Sequence, residues 1–171
     1  NVFLETVKSK SVDDKRMFVT KRAGTSTVKD SVFAGVVRGA IFWAEQNKLV
    51  YCVDNDVYVY NVNSGATTTL SNVFATTTGD VGMCLFLYDN QAVKVVATDG
   101  TATTGMITID SANTVVTCAD ADLPAHLPYP VFLDGYVFVA GTSSASIYNS
   151  DLNDPLSWTA GDFLDAEFEG D

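Results

Sequence analysis

The sequence predicts an all-β fold, a β-propeller-like array of four-stranded antiparallel units that forms part of a larger propeller. Three observations lead there. Val and Thr are the commonest residues of a chain that is 47% hydrophobic and carries ten Phe and seven Tyr, and all four residue types favour strands. Residues 36–73 hold four apolar runs joined by short turns of Asn, Asp, Ser and Gly, which is the pattern of a β-meander. The pattern then returns. Aligning Gly39 with Gly82 gives a period of 43, and aligning Asp54 with Thr98 gives 44. A period of about 40–45 residues, with four strands in each repeat, is propeller spacing. Identities between the copies are few, so it is the pattern that repeats and not the residues.

The elements follow in order. Residues 1–35 read as an N-terminal arm with short strands at Val2-Phe3-Leu4 and Met17-Phe18-Val19-Thr20 and a turn at Gly24-Thr25-Ser26. Residues 36–171 form the propeller-like domain, with units at about 36–73, 80–123 and 129–171. In the first unit, strands at 37–44, 49–53, 57–62 and 66–70 are joined through Glu45-Gln46-Asn47-Lys48, Asp54-Asn55-Asp56 and Asn63-Ser64-Gly65. The second unit places strands at 82–87, 92–97, 106–109 and 114–118. Residues 123–130 carry three prolines and read as a stiff linker, with the lone His126 as an ordinary surface residue. In the third unit, Asp134-Gly135 supplies the positive φ of a tight hairpin turn, and residues 145–149 form the next strand. Asp151, Asn153 and Asp154 belong to a polar turn over residues 150–158, and Trp158 folds back as a buried anchor. Residues 159–171 carry five acids and read as a solvated tail.

Charge divides the chain. The formal net charge is −11; residues 1–85 sum to +1, whereas residues 86–171 carry one base, Lys94, against thirteen acids. That imbalance argues against broad nucleic-acid binding by the second half, because phosphate would be repelled. No apolar run approaches the roughly 20 residues of a membrane helix, so this segment is expected not to insert into a membrane. Cys52, Cys84 and Cys118 lie singly in apolar strands and read as buried thiols, which suits folding in a reducing cytoplasm. Phosphate-loop, dinucleotide, zinc-protease and serine-hydrolase motifs do not occur. The Asp120/Asp122 pair is the closest approach to glycosidase chemistry, and acids at such positions are ordinarily turn formers. No catalytic residue, metal ligand or cofactor is expected.

Two resemblances follow from particular residues. Residues 151–158 are similar to the Asp-box turn of sialidase-like propellers, with Asp151, Asn153 and Pro155 replacing that motif's Ser, Asp and Gly. More of the chain is involved in the second. Asp134-Gly135-Tyr136, the run from Ile147 through Pro155, Ser157-Trp158, Asp162-Phe163 and Ala166-Glu167 resemble the packaged-DNA stabilisation proteins of short-tailed bacteriophages. Asn1-Val2-Phe3-Leu4-Glu5, Arg22-Ala23-Gly24-Thr25, Val37-Arg38-Gly39 and the run from Val57 through Val62 agree, although Ala23 stands where the family has Pro.

The resemblance implies a structural, non-enzymatic virion protein. It implies a ring of identical copies in the tail nozzle, below the phage adaptor and beside other tail proteins. That ring would help retain packaged DNA and form its exit channel, without sequence-specific contact. It also implies a family chain that continues beyond Asp171. Combined with the charge split, it leads to two expectations. The basic arm (Lys8, Lys10, Lys15, Arg16, Lys21, Arg22) faces a partner, and acids such as Asp151, Asp154, Asp162 and Asp165 line or flank the lumen. The competing expectation is a carbohydrate-binding propeller of a tail fibre or surface protein, with Tyr88, Tyr148 and Trp158 at its mouth.

Overall fold

The computed structural model describes residues 2–7, 16–21, 35–87, 93–143 and 145–165. The chain divides into two compact units, 1–32 and 33–171. The first contains one antiparallel hairpin, β1 (Val2–Val7) with β2 (Arg16–Lys21).

The second unit contains three four-stranded antiparallel meanders. The first sheet is β3 (Val37–Trp43), β4 (Lys48–Val53), β5 (Asp56–Asn61) and β6 (Thr67–Leu70). The second is β7 (Gly82–Phe86), β8 (Lys94–Thr98), β9 (Met106–Ile109) and β10 (Val115–Thr117). The third is β11 (Val131–Leu133), β12 (Tyr136–Ala140), β13 (Ser146–Asp151) and β14 (Asp154–Asp165). In each, the spatial order is the sequence order, as in a propeller blade. The fold is all-β: among the described residues the one helical element is a 3-10 turn, Ala44–Gln46, closed by Asn47 in the left-handed region.

Side-chain alternation explains how the sheets stack. In β4, Val50 and Cys52 face the second sheet, whereas Leu49, Tyr51 and Val53 lie on the opposite face. The second sheet is buried on both faces. Val95, Ala97, Ile107 and Ile109 join the core shared with the first sheet, and Val96, Met106 and Phe86 join the core shared with the third. Such strands need apolar residues on both sides, which is why Met106–Ile109 is wholly buried and does not alternate.

The first strands of the sheets, β3, β7 and β11, lie beside one another. Glycine makes this approach possible. A Cβ on Gly39 would stand 1.9 Å from the Val81 carbonyl oxygen, and one on Gly82 would stand 1.8 Å from that of Pro128. The two glycines that set the sequence period are therefore equivalent contact points, each admitting the backbone leading into the next sheet.

Several boundaries differ from expectation. The polar turn after β13 is shorter than residues 150–158: Asp151 pairs with Asp154, and β14 begins there. The acidic stretch is not a free tail as far as Asp165, because Phe163, Leu164 and Asp165 pair with Tyr148, Ile147 and Ser146. Proline is tolerated at Pro155 because β14 is an edge strand, where a missing N–H need not break a ladder. Lys48 is not a turn residue; it opens β4 and is buried. His126, read as a surface residue, is also buried.

Gly82→Ala is expected to cost about 1–3 kcal/mol or more, since the clashing atom is backbone and cannot swing away. Urea denaturation checks this: the midpoint should fall, and an unchanged midpoint would show that the first strands separate freely.

Candidate functional site

Two kinds of feature bear on function: the joints between sheets and the charge they leave on the surface. The joint between the first and second sheets is built on two cations. Arg38, 6% exposed, donates from Nε to the Gly79 carbonyl and from Nη1 to the carbonyls of Asp54 and Thr76. Its Nη2 donates to the Thr76 hydroxyl and the Thr78 carbonyl. All five N–H groups of the guanidinium therefore meet neutral oxygens. The Thr76 hydroxyl donates onward to the Asp99 carboxylate. At the other end of the same sheet, the Lys48 ammonium donates to the Ser111 carbonyl at 2.7 Å and Asn113 Oδ1 at 2.9 Å. It also lies 5.7 Å from the centre of the Trp43 ring, a cation–π distance.

The second and third sheets are joined by neutral groups and by acids at two places, Asp120 and Asp80, the latter accepting the Tyr129 hydroxyl. Asp120 accepts the Asp122 and Trp158 backbone N–H groups, and these bonds hold its carboxyl below the usual range. A general acid of a glycosidase needs the opposite shift. Cys118 Sγ contacts the Leu156 carbonyl at 3.3 Å. His126 bonds Thr98 and Pro124 through its two ring nitrogens. The three cysteines are free, and burial pushes the thiols up, to about 11 for Cys52 and about 12 for Cys84, so they are protonated at neutral pH.

The residues singled out from the sequence fall as follows. Asp134 and Gly135 have φ of 49° and 87° in the two-residue β11–β12 turn, and the Gly135 carbonyl accepts the Asn153 N–H. Asp151 accepts the hydroxyls of Ser157 and Thr159. Asp154 accepts the Leu156 N–H, and Asp165 accepts the Ser146 hydroxyl. Asp162 is exposed. All four acids lie on β14 or beside its first turn, at the edge of the third sheet farthest from β11. Trp158 is 4% exposed among Phe86, Val96, Met106 and Val137, and its Nε1–H lacks a partner. Arg16 and Lys21 bound β2, and Lys8, Lys10, Lys15, Arg22 and Tyr88 lie outside the described residues.

Arg38 and Lys48 were missed as organising residues. Their partners lie 16 to 65 residues away and are largely backbone carbonyls, which have no side-chain signature. Their burial alters the surface. The unit 33–171 carries three bases, Arg38, Lys48 and Lys94, against seventeen acids, a net −14. Two of the three bases are spent inside.

A family model described as bacteriophage P22 Gp10, β-propeller, matches residues 3–171. The chain belongs to this phage-stabilisation family. No curated protein matches it individually. Membership makes it a bacteriophage structural protein of propeller fold, in line with the three meander blades. Among the described residues, no group of three or more His, Cys, Asp or Glu is placed to hold a metal ion, and no helix is long and apolar enough to cross a membrane. Of the aromatics expected at a sugar-binding mouth, Trp158 is buried and Tyr148 packs against Phe163 with ring centres 5.6 Å apart.

Arg38→Lys should lower stability by about 1–3 kcal/mol, since an ammonium has three donors for five acceptors. Trp158→Ala should cost about 3–5 kcal/mol. Trp158→Phe should cost clearly less than the alanine variant, because the indole N–H makes no bond that phenylalanine would lose. Thermal or urea unfolding of the three variants tests the order.

Proposed function

We propose that this protein is part of a phage tail nozzle that helps retain packaged DNA and forms its exit path, as copies arranged in a ring against the adaptor and other tail proteins. The observation that carries the reading, beyond family membership, is the burial of Arg38 and Lys48 in a unit of net charge −14. A wall of this composition has little to offer phosphate. DNA-binding proteins gain affinity by placing Lys and Arg on phosphates and releasing counterions. Here Arg38 and Lys48 close joints between sheets, and among the described residues no acid is fully buried. Such a surface repels the duplex and keeps a layer of water and counterions between them, so DNA passes without being gripped.

Asp151, Asp154, Asp162 and Asp165 are the acids we assign to the channel side or its margin. Asp154, Asp162 and Asp165 lie on the outermost strand and Asp151 pairs with its first residue, a position that suits a surface offered to the surroundings of the propeller and not to its own axis. The arm, with seven Lys/Arg and four acids in residues 1–32, is assigned to a neighbouring tail protein. No chemistry is required of any residue in this reading.

The test is charge reversal at Asp162, which is exposed, alone and with Asp154. Phage carrying Asp162→Lys should eject DNA more slowly than the parent at low salt, and the difference should shrink as salt rises. In solution, each lysine that reaches a phosphate should steepen log affinity against log salt by about 0.9. Unchanged ejection rate and salt dependence would remove these acids from the channel.

A further inference from the structure

His126 is the only histidine of the chain and is 1% exposed. Its backbone ties two sheets together. The His126 N–H donates to the Gly100 carbonyl in the turn after β8, and His126 bridges to Gly141 after β12. The neighbouring Leu127 N–H donates to Ala140. The side chain completes the joint. Nδ1 lies 2.8 Å from the Pro124 carbonyl, which can only accept, so Nδ1 carries the proton. Nε2 of the neutral ring is then an acceptor, and the Thr98 hydroxyl donates to it at 2.7 Å. Thr98 Oγ1 in turn accepts the Gly100 N–H. Every polar group of this chain of bonds is used once in a fixed direction.

We propose that His126 is an acid-operated joint between the second and third sheets: neutral, it locks the linker onto the turn after β8, and protonated, it lets the third sheet part from the second. A proton on Nε2 turns that atom from acceptor to donor. The Thr98 hydroxyl must then rotate its own hydrogen away from the ring, into a site already packed by Gly100, and an imidazolium must sit in a buried position.

The charged group facing the ring is Asp99, which favours the proton. Its carboxylate is already engaged by the Thr101 N–H and by the Thr76 hydroxyl that Arg38 holds. The linker presents the Pro124 carbonyl, and the end of β12 and the segment after it present Ala140, Gly141 and Thr142, none of them charged. Burial thus outweighs both the Pro124 hydrogen bond and Asp99, each of which favours the proton, and holds the ring below its ordinary value of about 6.5. The sign follows. Above pH about 6.5 neither folded nor unfolded chain is protonated at this ring, and the joint is at full strength. Below it the unfolded or opened ring takes a proton that the closed one refuses. The opened form gains by up to about tenfold per pH unit until the closed ring titrates too.

The two tryptophans separate this joint from general acid unfolding, because Trp43 sits in the core between the first two sheets and Trp158 in the core between the second and third. The experiment uses the full chain. Proton–nitrogen NMR of the single imidazole should give the Nδ1–H tautomer at pH 7 and a midpoint below 6.5. In single-tryptophan variants (Trp43→Phe and Trp158→Phe), acidification through that window should shift Trp158 emission to the red and leave Trp43 emission in place. His126→Gln should abolish the pH dependence of the Trp158 signal. An imidazole midpoint at or above 6.5, a Trp158 signal that is flat or persists in His126→Gln, or Trp43 moving together with Trp158 would each overturn the proposal. The NMR titration needs no substitution, so it decides even if His126→Gln does not fold.

Discussion

The structure depends first on satisfying one buried guanidinium. Arg38 leaves water at the start of β3, and its five donors must all find acceptors inside. Three of the acceptor residues, Thr76, Thr78 and Gly79, belong to the irregular connector between the first and second sheets. That connector contains no strand or helix to fix its path. Its carbonyls are held by the cation, and Phe74 lies beneath it at 6.0 Å. The next residues, Asp80 and Val81, then lead into β7, with the Val81 N–H returning to the Arg38 carbonyl. A buried charge of this kind contributes little net stability, but it strongly penalises conformations that leave a donor unmet. Placement of the second sheet against the first follows from that penalty as much as from the apolar core.

The acids have a local logic that precedes any role in assembly. Asp54, Asp56, Asp99, Asp110, Asp120 and Asp154 each accept a backbone N–H at or beside a turn. Short meanders need many tight turns, and Asp satisfies turn N–H groups without a helix. Cations have no equivalent use there, so turn chemistry alone drives the sheet unit toward negative charge. The proposed channel role would then exploit an acidity that the topology had already produced.

Much of this was legible in the sequence, for physical reasons. Strand side chains point alternately to two faces, and Val57 through Tyr60 shows this, with the valines in one apolar cluster and the tyrosines in another. The Asp134-Gly135 pair announces its turn because few residues tolerate positive φ. The spacing of Gly39 and Gly82 marked the repeat before its cause, carbonyl contact, was known. Other features were hidden. Pro155 and the polar residues around it look like a turn, and only the edge position of β14 makes a strand permissible. His126 between prolines looks exposed, because its burial is decided by the turn at Thr98–Gly100, far away in sequence. The burial of Arg38 and Lys48 rests on distant carbonyl and amide oxygens, and no local pattern records that. The acids on β14 were visible as residues, but their place on the outermost strand required the sheet order.

The meander order also bears on synthesis. Each sheet is complete within about 35 contiguous residues, so translation at roughly 5–20 residues per second delivers one every few seconds. Hairpins close in roughly 1–10 microseconds, far ahead of the ribosome. The first sheet can therefore form while Arg38 and Lys48 still point into water. The carbonyls of residues 76–79 emerge next, and those of 111–113 about thirty residues later. Each cation is dehydrated only as its acceptors arrive, so the nascent chain never has to bury a charge in advance of its partner.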